Sequence, residues 1–343
     1  MKGTPMPIAT TIADAGARWL AALSASIDEA DPDGIVAPRS RLLCAALGLL
    51  SSASARSLGA SDEAAEEAGL AGAALSLLTK IDDEVIDSLA FHGGPTTPRD
   101  EVERRTRAFL APTEIALFAG ARGEPLGAVE LRDRPRARYA HAVGVRLATL
   151  GASRDRLEHV LASVALGWHV QARAARVLTA DPSVVDEVEV RAATRSISGA
   201  WLGMITLVGE LARGATRPLH DDEVEAIWDW GSFIQRADAL CDLEKDRRDG
   251  LVSTFVGHAA HRRSAPANGT PTTAELYRIV ARHGIDRASV PAASERAALG
   301  RRLSALAPVE ELLSWIFAML YGRYEAHPLA VVAREEVATC SAR

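Results

Sequence analysis

Cysteine is scarce in this 343-residue chain, and so are the residues that build strands. The three cysteines, Cys44, Cys241 and Cys340, are odd in number and show no metal-ligand spacing, which argues against a disulfide framework and a structural zinc site. Six Trp, six Phe and four Tyr, with few β-branched residues beside abundant Ala, Leu and Arg, point to an all-α fold. There is no excess of positive charge: 39 Lys and Arg against 45 Asp and Glu leave a net charge of −6, so nucleic acid is not an expected partner. Long apolar runs are missing as well. The best stretches, 42–55 and 197–212, fall short of about 18 to 20 residues, and Glu210 interrupts the second, so no membrane span is expected. Asp14 and Arg18 break the first apolar run, leaving no secretory signal pattern, and a soluble cytoplasmic protein is the expectation. No repeat, heptad seam, low-complexity tract or shift in composition divides the chain, which reads as one helical domain over 1–343. His141, His159, His169 and His258 stand singly and no Gly-rich phosphate loop follows a strand, so neither zinc-protease nor nucleotide-hydrolase chemistry is indicated.

What the chain does have is 48% hydrophobic residues, enough for a sizeable core, and a helical pattern punctuated by proline and glycine. Helices are expected over about 39–55, 64–89, 154–178, 184–213, 221–248, 274–283, 292–306 and 309–325. Ser153 is placed to cap the third, and Gly214 to end the fourth. Ser, Pro, Asn, Gly and Thr crowd together in 262–273, which reads as a mobile loop.

Two acidic clusters stand out. Asp82-Asp83-Glu84-Val85-Ile86-Asp87 falls near the C-terminal end of an apolar helix, where the dipole disfavours negative charge. Asp83 and Asp87, four apart, lie about 40° from each other on the helix wheel. Asp238, Asp242 and Asp246 follow at i, i+4 and i+8, within an arc of about 80° on a single helix, bordering the apolar positions Phe233, Ala237 and Leu240. Like charges at this spacing cost a few tenths of a kcal/mol per pair. One explanation is structural: a solvated helix end, and a stripe neutralised by Lys245, Arg247 and Arg248. The other is a ligand. Mg2+ takes oxygen donors and is held by one or two carboxylates plus substrate phosphates, so two acidic stripes could grip a diphosphate between them, with interleaved Arg and Lys on its oxygens.

Asp83-Glu84-Val85-Ile86-Asp87 resembles the DDxxD motif of class I terpenoid synthases, with Glu in second place, and Asp238-x-x-x-Asp242-x-x-Lys245-Asp246 resembles their second metal motif. Arg195, with Ser198 and Gly199 behind it, resembles the family's diphosphate-sensing arginine, linker and effector at a helix break. Arg323-Tyr324 resembles its terminal RY pair, with Trp315 upstream. The resemblance covers about 60–325. It departs from the pattern where Asp replaces the usual Asn at 238 and Ser or Thr at 242.

The resemblance implies a single-domain helical bundle around a central apolar cavity. The metal ligands would be Asp83, Glu84, Asp87, Asp238, Asp242 and Asp246, holding three Mg2+ ions with bound diphosphate. Arg195, Lys245, Arg323 and Tyr324 would contact the diphosphate. Phe91, Trp201, Phe233 and Trp315, with Trp168, are candidates for the pocket wall, although aromatics at helical spacing more often fill a core. The implied activity is ionisation of an allylic prenyl diphosphate of the farnesyl or geranylgeranyl class, followed by cyclisation of the cation. Trans-prenyl diphosphate synthases are similar too, through Phe91-His92-Gly93-Gly94-Pro95-Thr96 and the segment Ile234 to Asp242, but only Arg39 and Arg41 are available for a second diphosphate, and Phe91-His92 stands where two arginines belong. Head-to-head coupling enzymes share the second spacing. A non-catalytic helical scaffold is the remaining alternative. Homodimerisation rests on family analogy alone.

Overall fold

The computed structural model describes residues 8–86, 97–127, 129–178, 180, 184–248, 255–263 and 271–341. Among these there is no strand. The helices run α1 Ile8–Ala30, α2 Pro38–Ala46, α3 Gly48–Ser57, α4 Asp62–Ile86, α5 Arg99–Ala121, α6 Val129–Arg132, α7 Pro135–Thr149, α8 Arg154–Leu178 and α9 Glu187–Leu207. They continue with α10 Asp221–Cys241, α11 Leu243–Arg248, α12 Phe255–Arg263, α13 Thr273–Arg282, α14 Ile285–Ala288, α15 Ala293–Arg302, α16 Ala307–Glu325 and α17 Pro328–Ser341.

Side chains at the boundaries explain several starts. The Asp186 carboxylate accepts from the Glu189 N–H at 2.7 Å to open α9. Thr272 and Glu275 form a reciprocal capping box at α13. The Glu223 carboxylate, paired with Arg217, accepts from the His220 N–H at the head of α10. Two expected helices are divided. The 39–55 stretch turns at Leu47 into α2 and α3, and 221–248 turns at Asp242 into α10 and α11. The helix expected to reach Arg213 stops at Leu207 and tightens into a 3-10 turn, Val208–Leu211. Gly209 there lies so near α3 that a Cβ would stand 2.6 Å from that of Ser54, and the buried Glu210 accepts from the Leu219 N–H at 2.7 Å. Of the loop expected over 262–273, residues 264–270 lie outside the described ones.

Small residues let the helices approach closely. A Cβ on Gly144 of α7 would stand 2.0 Å from the Leu117 carbonyl oxygen of α5, and one on Gly120 of α5 would stand 2.0 Å from the His141 carbonyl oxygen. The main core draws on α1 to α10, α15 and α16, with Leu75, Leu78, Leu117, Val160, Ile205 and Trp230 fully buried. A second apolar cluster joins the ends of α8, α9 and α10 to α12, α13, α14 and α17 around Tyr277 and Val280. The packing of α3 on α16, α16 on α10, α10 on α9, and α9 on α8, α3 and α4 leaves a hollow between these helices. The fold of the described residues is all-α, built around that hollow.

The stretch Ser304–Glu325, which includes α16, is the one helix among the described residues long and apolar enough to cross a membrane. Glu310 and Glu311 interrupt it in the sequence, where no membrane span is expected. Its apolar residues Leu312, Trp315, Ile316, Met319 and Leu320 line the hollow, which accounts for a helix so apolar yet so little buried.

Candidate functional site

The hollow is a cavity of about 610 Å³, in the range of small-molecule sites. Its wall is mostly apolar along α2, α3, α8, α9 and α16, with Leu43, Leu47, Trp168, Trp201, Met204 and Ile316 among its members. Its acidic side combines Asp83 and Glu84 of α4 with Asp238 of α10, Asp242 at the bend and Asp246 of α11. Lys245, Arg323, Ser198 and Trp315 line it as well.

The acids of α4 are held by neighbours. Lys80, one turn back on α4, places its ammonium 2.8 Å from Asp83 Oδ2 and 3.0 Å from Glu84 Oε1. The Gln171 amide on α8 donates to Asp83 Oδ1 at 3.2 Å. Asp238 is half-buried, and burial together with the charges of Asp242 and Asp83 pushes its carboxyl up to about 6, with Lys80 and Lys245 pulling the other way. The bend alters the expected stripe: α10 ends at Cys241, Asp242 has φ −97° and ψ 6°, and its N–H still bonds the Asp238 carbonyl. The three acids therefore span two helices and not one straight one.

Behind the site, the fully buried Asp82 faces α7, where its Oδ1 lies 3.1 Å from Arg136 Nε. The pair is an ion pair by distance without hydrogen-bond alignment. Burial raises the Asp82 carboxyl to about 7, opposed by Arg136. Arg136 in turn lies 3.8 Å over the Phe109 ring of α5 and donates to the Phe109 carbonyl at 3.1 Å. This chain ties the acidic end of α4 to the α5–α7 pair.

Four residues expected at the site do not line the cavity. The Arg195 guanidinium pairs with Asp229 at 2.8 Å and with Glu225, and sits over Trp228. Gly199 is a packing position: a Cβ there would meet Trp228 Cα at 2.9 Å, and α9 runs unbroken through Ser198 and Gly199 where a helix break was expected. Phe233 packs edge-on against Trp230 in the main core. Tyr324 is buried in the second cluster, stacked on Tyr277 at 6.0 Å, and burial raises its phenol strongly. Asp87 and Phe91 lie outside the described residues.

Lys80 and Gln171 belong to the site but lie outside the motifs quoted from the sequence. Lys80 was accessible from spacing, three and four residues before Asp83 and Glu84. Gln171 comes from another helix and carries no local signal, while Gln235, which accepts from the Ser198 hydroxyl, lies on α10 three residues before Asp238, within the segment Ile234 to Asp242. Of the two arginines available for a second diphosphate, Arg39 lines the cavity, while Arg41 is held by Asp28, Asp31 and the Val36 carbonyl.

Among the described residues, no three His, Cys, Asp or Glu side chains converge closely enough to hold a metal ion unaided. The donor set still suits a hard divalent cation. Mg2+ keeps several waters and uses one or two carboxylates plus phosphate oxygens, which Asp83 or Glu84 on one side and Asp238, Asp242 or Asp246 on the other could supply.

No protein-family model matches the chain, and no curated protein does. Solved structures do. A geranylgeranyl pyrophosphate synthetase from the archaeon Geoglobus acetivorans is 15% identical, with 90% of this chain and 98% of that chain covered at a TM-score of 0.56. A polyprenyl synthase from Caulobacter crescentus CB15, complexed with calcium and isoprenyl diphosphate, is 17% identical over 96% and 98% of the two chains at 0.40. A geranylgeranyl pyrophosphate synthase from Corynebacterium glutamicum, complexed with isoprenyl diphosphate and magnesium, is 15% identical over 96% of each at 0.40. The first likeness establishes a common fold; the other two add nothing to it.

Proposed function

We propose that this chain is a divalent-metal-dependent enzyme that ionises an allylic prenyl diphosphate and transfers the prenyl group to an acceptor, in the manner of a trans-prenyl diphosphate synthase. The observation that carries the reading is the meeting of Asp83 and Glu84 with Asp238, Asp242 and Asp246 in the lining of one cavity whose remaining wall is largely apolar. The acids supply oxygen donors at the head of the cavity. Leu43, Leu47, Trp201 and Ile316 accept a hydrocarbon tail and keep water from it. Lys245 and Arg323 supply positive charge for the diphosphate oxygens. A bound Mg2+ would neutralise charge on the departing diphosphate, which is electrostatic stabilisation of a leaving group.

Transfer is preferred to cyclisation because the arginine of the cyclase-type trigger, Arg195, is occupied by Asp229 and Glu225 outside the cavity and its helix is unbroken. The fold neighbour from Geoglobus acetivorans, by name a geranylgeranyl pyrophosphate synthetase, supports the same direction. Cyclisation is the second reading. It is favoured by the lack of cations for a second diphosphate, since Arg39 lines the cavity while Arg41 is consumed by Asp28 and Asp31.

The test is incubation with geranyl, farnesyl or geranylgeranyl diphosphate and Mg2+, with and without isopentenyl diphosphate, followed by extraction of products. Longer diphosphates formed only with isopentenyl diphosphate support transfer to that acceptor. Hydrocarbons or alcohols formed without it support cyclisation. Absence of diphosphate release under every condition would leave a binding scaffold.

A further inference from the structure

The acidic side of the cavity contains a cation of its own. Lys80 Nζ lies 2.8 Å from Asp83 Oδ2 and 3.0 Å from Glu84 Oε1, and its side chain is 22% exposed. Lys80 lines the same cavity as Asp238, Asp242 and Asp246 of the other acidic segment.

An ammonium has three donors and no acceptor, and it sits on a flexible four-carbon stem. At 2.8 Å from a carboxylate oxygen it takes up a lone-pair direction that a divalent ion, with an oxygen distance of about 2.0 to 2.1 Å, would also need. A like-charged ammonium beside that ion would repel it. Metal and Lys80 therefore compete for Asp83 and Glu84, and binding of the one requires the other to move.

We propose that Lys80 is a resident counter-ion of the first acidic segment, displaced when a divalent cation enters together with a diphosphate. The inference rests on the metal-binding reading of the cavity. In the metal-free protein Lys80 holds Asp83 and Glu84 in place and offsets their mutual repulsion. Metal alone must displace it without compensation, so binding of metal alone is weak. When a diphosphate accompanies the metal, the released ammonium acquires phosphate oxygens as new partners, so the two ligands reinforce each other. Lys80 is thus a positioning residue that couples metal affinity to the presence of the diphosphate.

The experiment is calorimetric titration of chelator-stripped full-length protein with Mn2+, alone and with inorganic pyrophosphate, for the native chain, Lys80→Met, Lys80→Gln and Lys80→Arg. Circular dichroism verifies folding, and Lys80→Gln, which keeps a donor for Asp83, serves where Lys80→Met folds poorly. Two partly exposed ion pairs removed from competition predict Mn2+ alone binding about tenfold tighter in the Met and Gln variants. The enhancement produced by pyrophosphate should shrink in the same variants, and Lys80→Arg should behave as native. Folded Met and Gln variants whose Mn2+ affinity is unchanged or weaker would overturn the role of Lys80 while leaving the metal site standing. No Mn2+ binding by the native chain, even with pyrophosphate, would remove the metal site and the role of Lys80 together.

Discussion

If Asp238 serves a ligand and not the fold, replacing it should make the metal-free protein more stable. Its carboxyl is raised from 3.8 to about 6 by burial and by Asp242 and Asp83. The folded state therefore keeps this proton at pH values where the unfolded chain has lost it. Between pH 4 and 6 the folded state binds more protons than the unfolded state, so this group's contribution to stability declines as pH rises through that window and stays low above it. The shift is about two pH units, and at 1.36 kcal/mol per unit it corresponds to about 3 kcal/mol; partial exposure of the side chain reduces this to about 1 to 3 kcal/mol.

Asp238→Asn keeps the shape and removes the charge. The assay is urea unfolding of the native chain and the variant in the presence of chelator, at pH 4 and pH 7.5. The variant should match the native chain at pH 4 and exceed it by about 1 to 3 kcal/mol at pH 7.5. The same substitution should cost metal-dependent diphosphate release at least the roughly 10- to 100-fold that loss of a mere outer-shell partner costs in a metal site. A variant no more stable than native at pH 7.5, or a difference equal at both pH values, would refute the reasoning, because the acidic cluster would then not be under electrostatic strain. A gain in stability with a loss of turnover is the expected mark of a residue retained for function.

Asp82→Ala should destabilise the protein by about 3 to 5 kcal/mol in urea unfolding, since it leaves Arg136 without its buried partner. Gly144→Ala should cost about 3 kcal/mol or more, read as a lowered Tm, because the added methyl would meet a backbone carbonyl at 2.0 Å. Arg195→Gln should lower stability by about 1 kcal/mol or less, as loss of a partly exposed ion-pair network does, and leave turnover of prenyl diphosphates unchanged. Steady-state kinetics with a loss of turnover would return Arg195 to the reaction.

The helical architecture was legible because alanine and leucine leave few alternatives and proline and glycine fall mostly between helices. Pro112 is an instructive exception inside α5, at a cost of about 3 kcal/mol for an interior position. The buried stripe Val102, Thr106, Leu110, Thr113 and Leu117 continues across it at spacings of three and four, and that packing keeps the helix intact. The acidic cluster was legible because its spacing is local on each segment. The bend at Asp242 was not, since an i, i+4, i+8 pattern contains nothing that distinguishes a straight helix from two short ones. Nor could spacing reveal that Tyr324 would be stacked on Tyr277 in a separate apolar cluster.

The placement of Arg195 follows from the helix wheel once the partners of α9 are known. At 100° per residue, Arg195, Gly199 and Gly203 fall within about 80° of one another, while Ile197, Ser198, Trp201 and Met204 occupy the opposite half. The second group lines the cavity, and Leu202, which falls between Ser198 and Arg195 on the wheel, reaches it as well. The first faces α10, where Gly199 and Gly203 admit Trp228, and Gly199 also meets Gly231 closely enough that a Cβ on Gly231 would stand 2.5 Å from its nitrogen. Arg195 extends this contact stripe by one turn and finds Glu225 and Asp229, four apart on the facing helix. Turning Arg195 into the cavity would carry the two glycines out of the crossing and bring Ser198 and Trp201 against α10, where there is no room for them. The same small residues that let α9 and α10 touch thus fix which side chains reach the acids, and they leave Arg39, Lys80, Lys245 and Arg323 as the lining cations through which a diphosphate could be sensed.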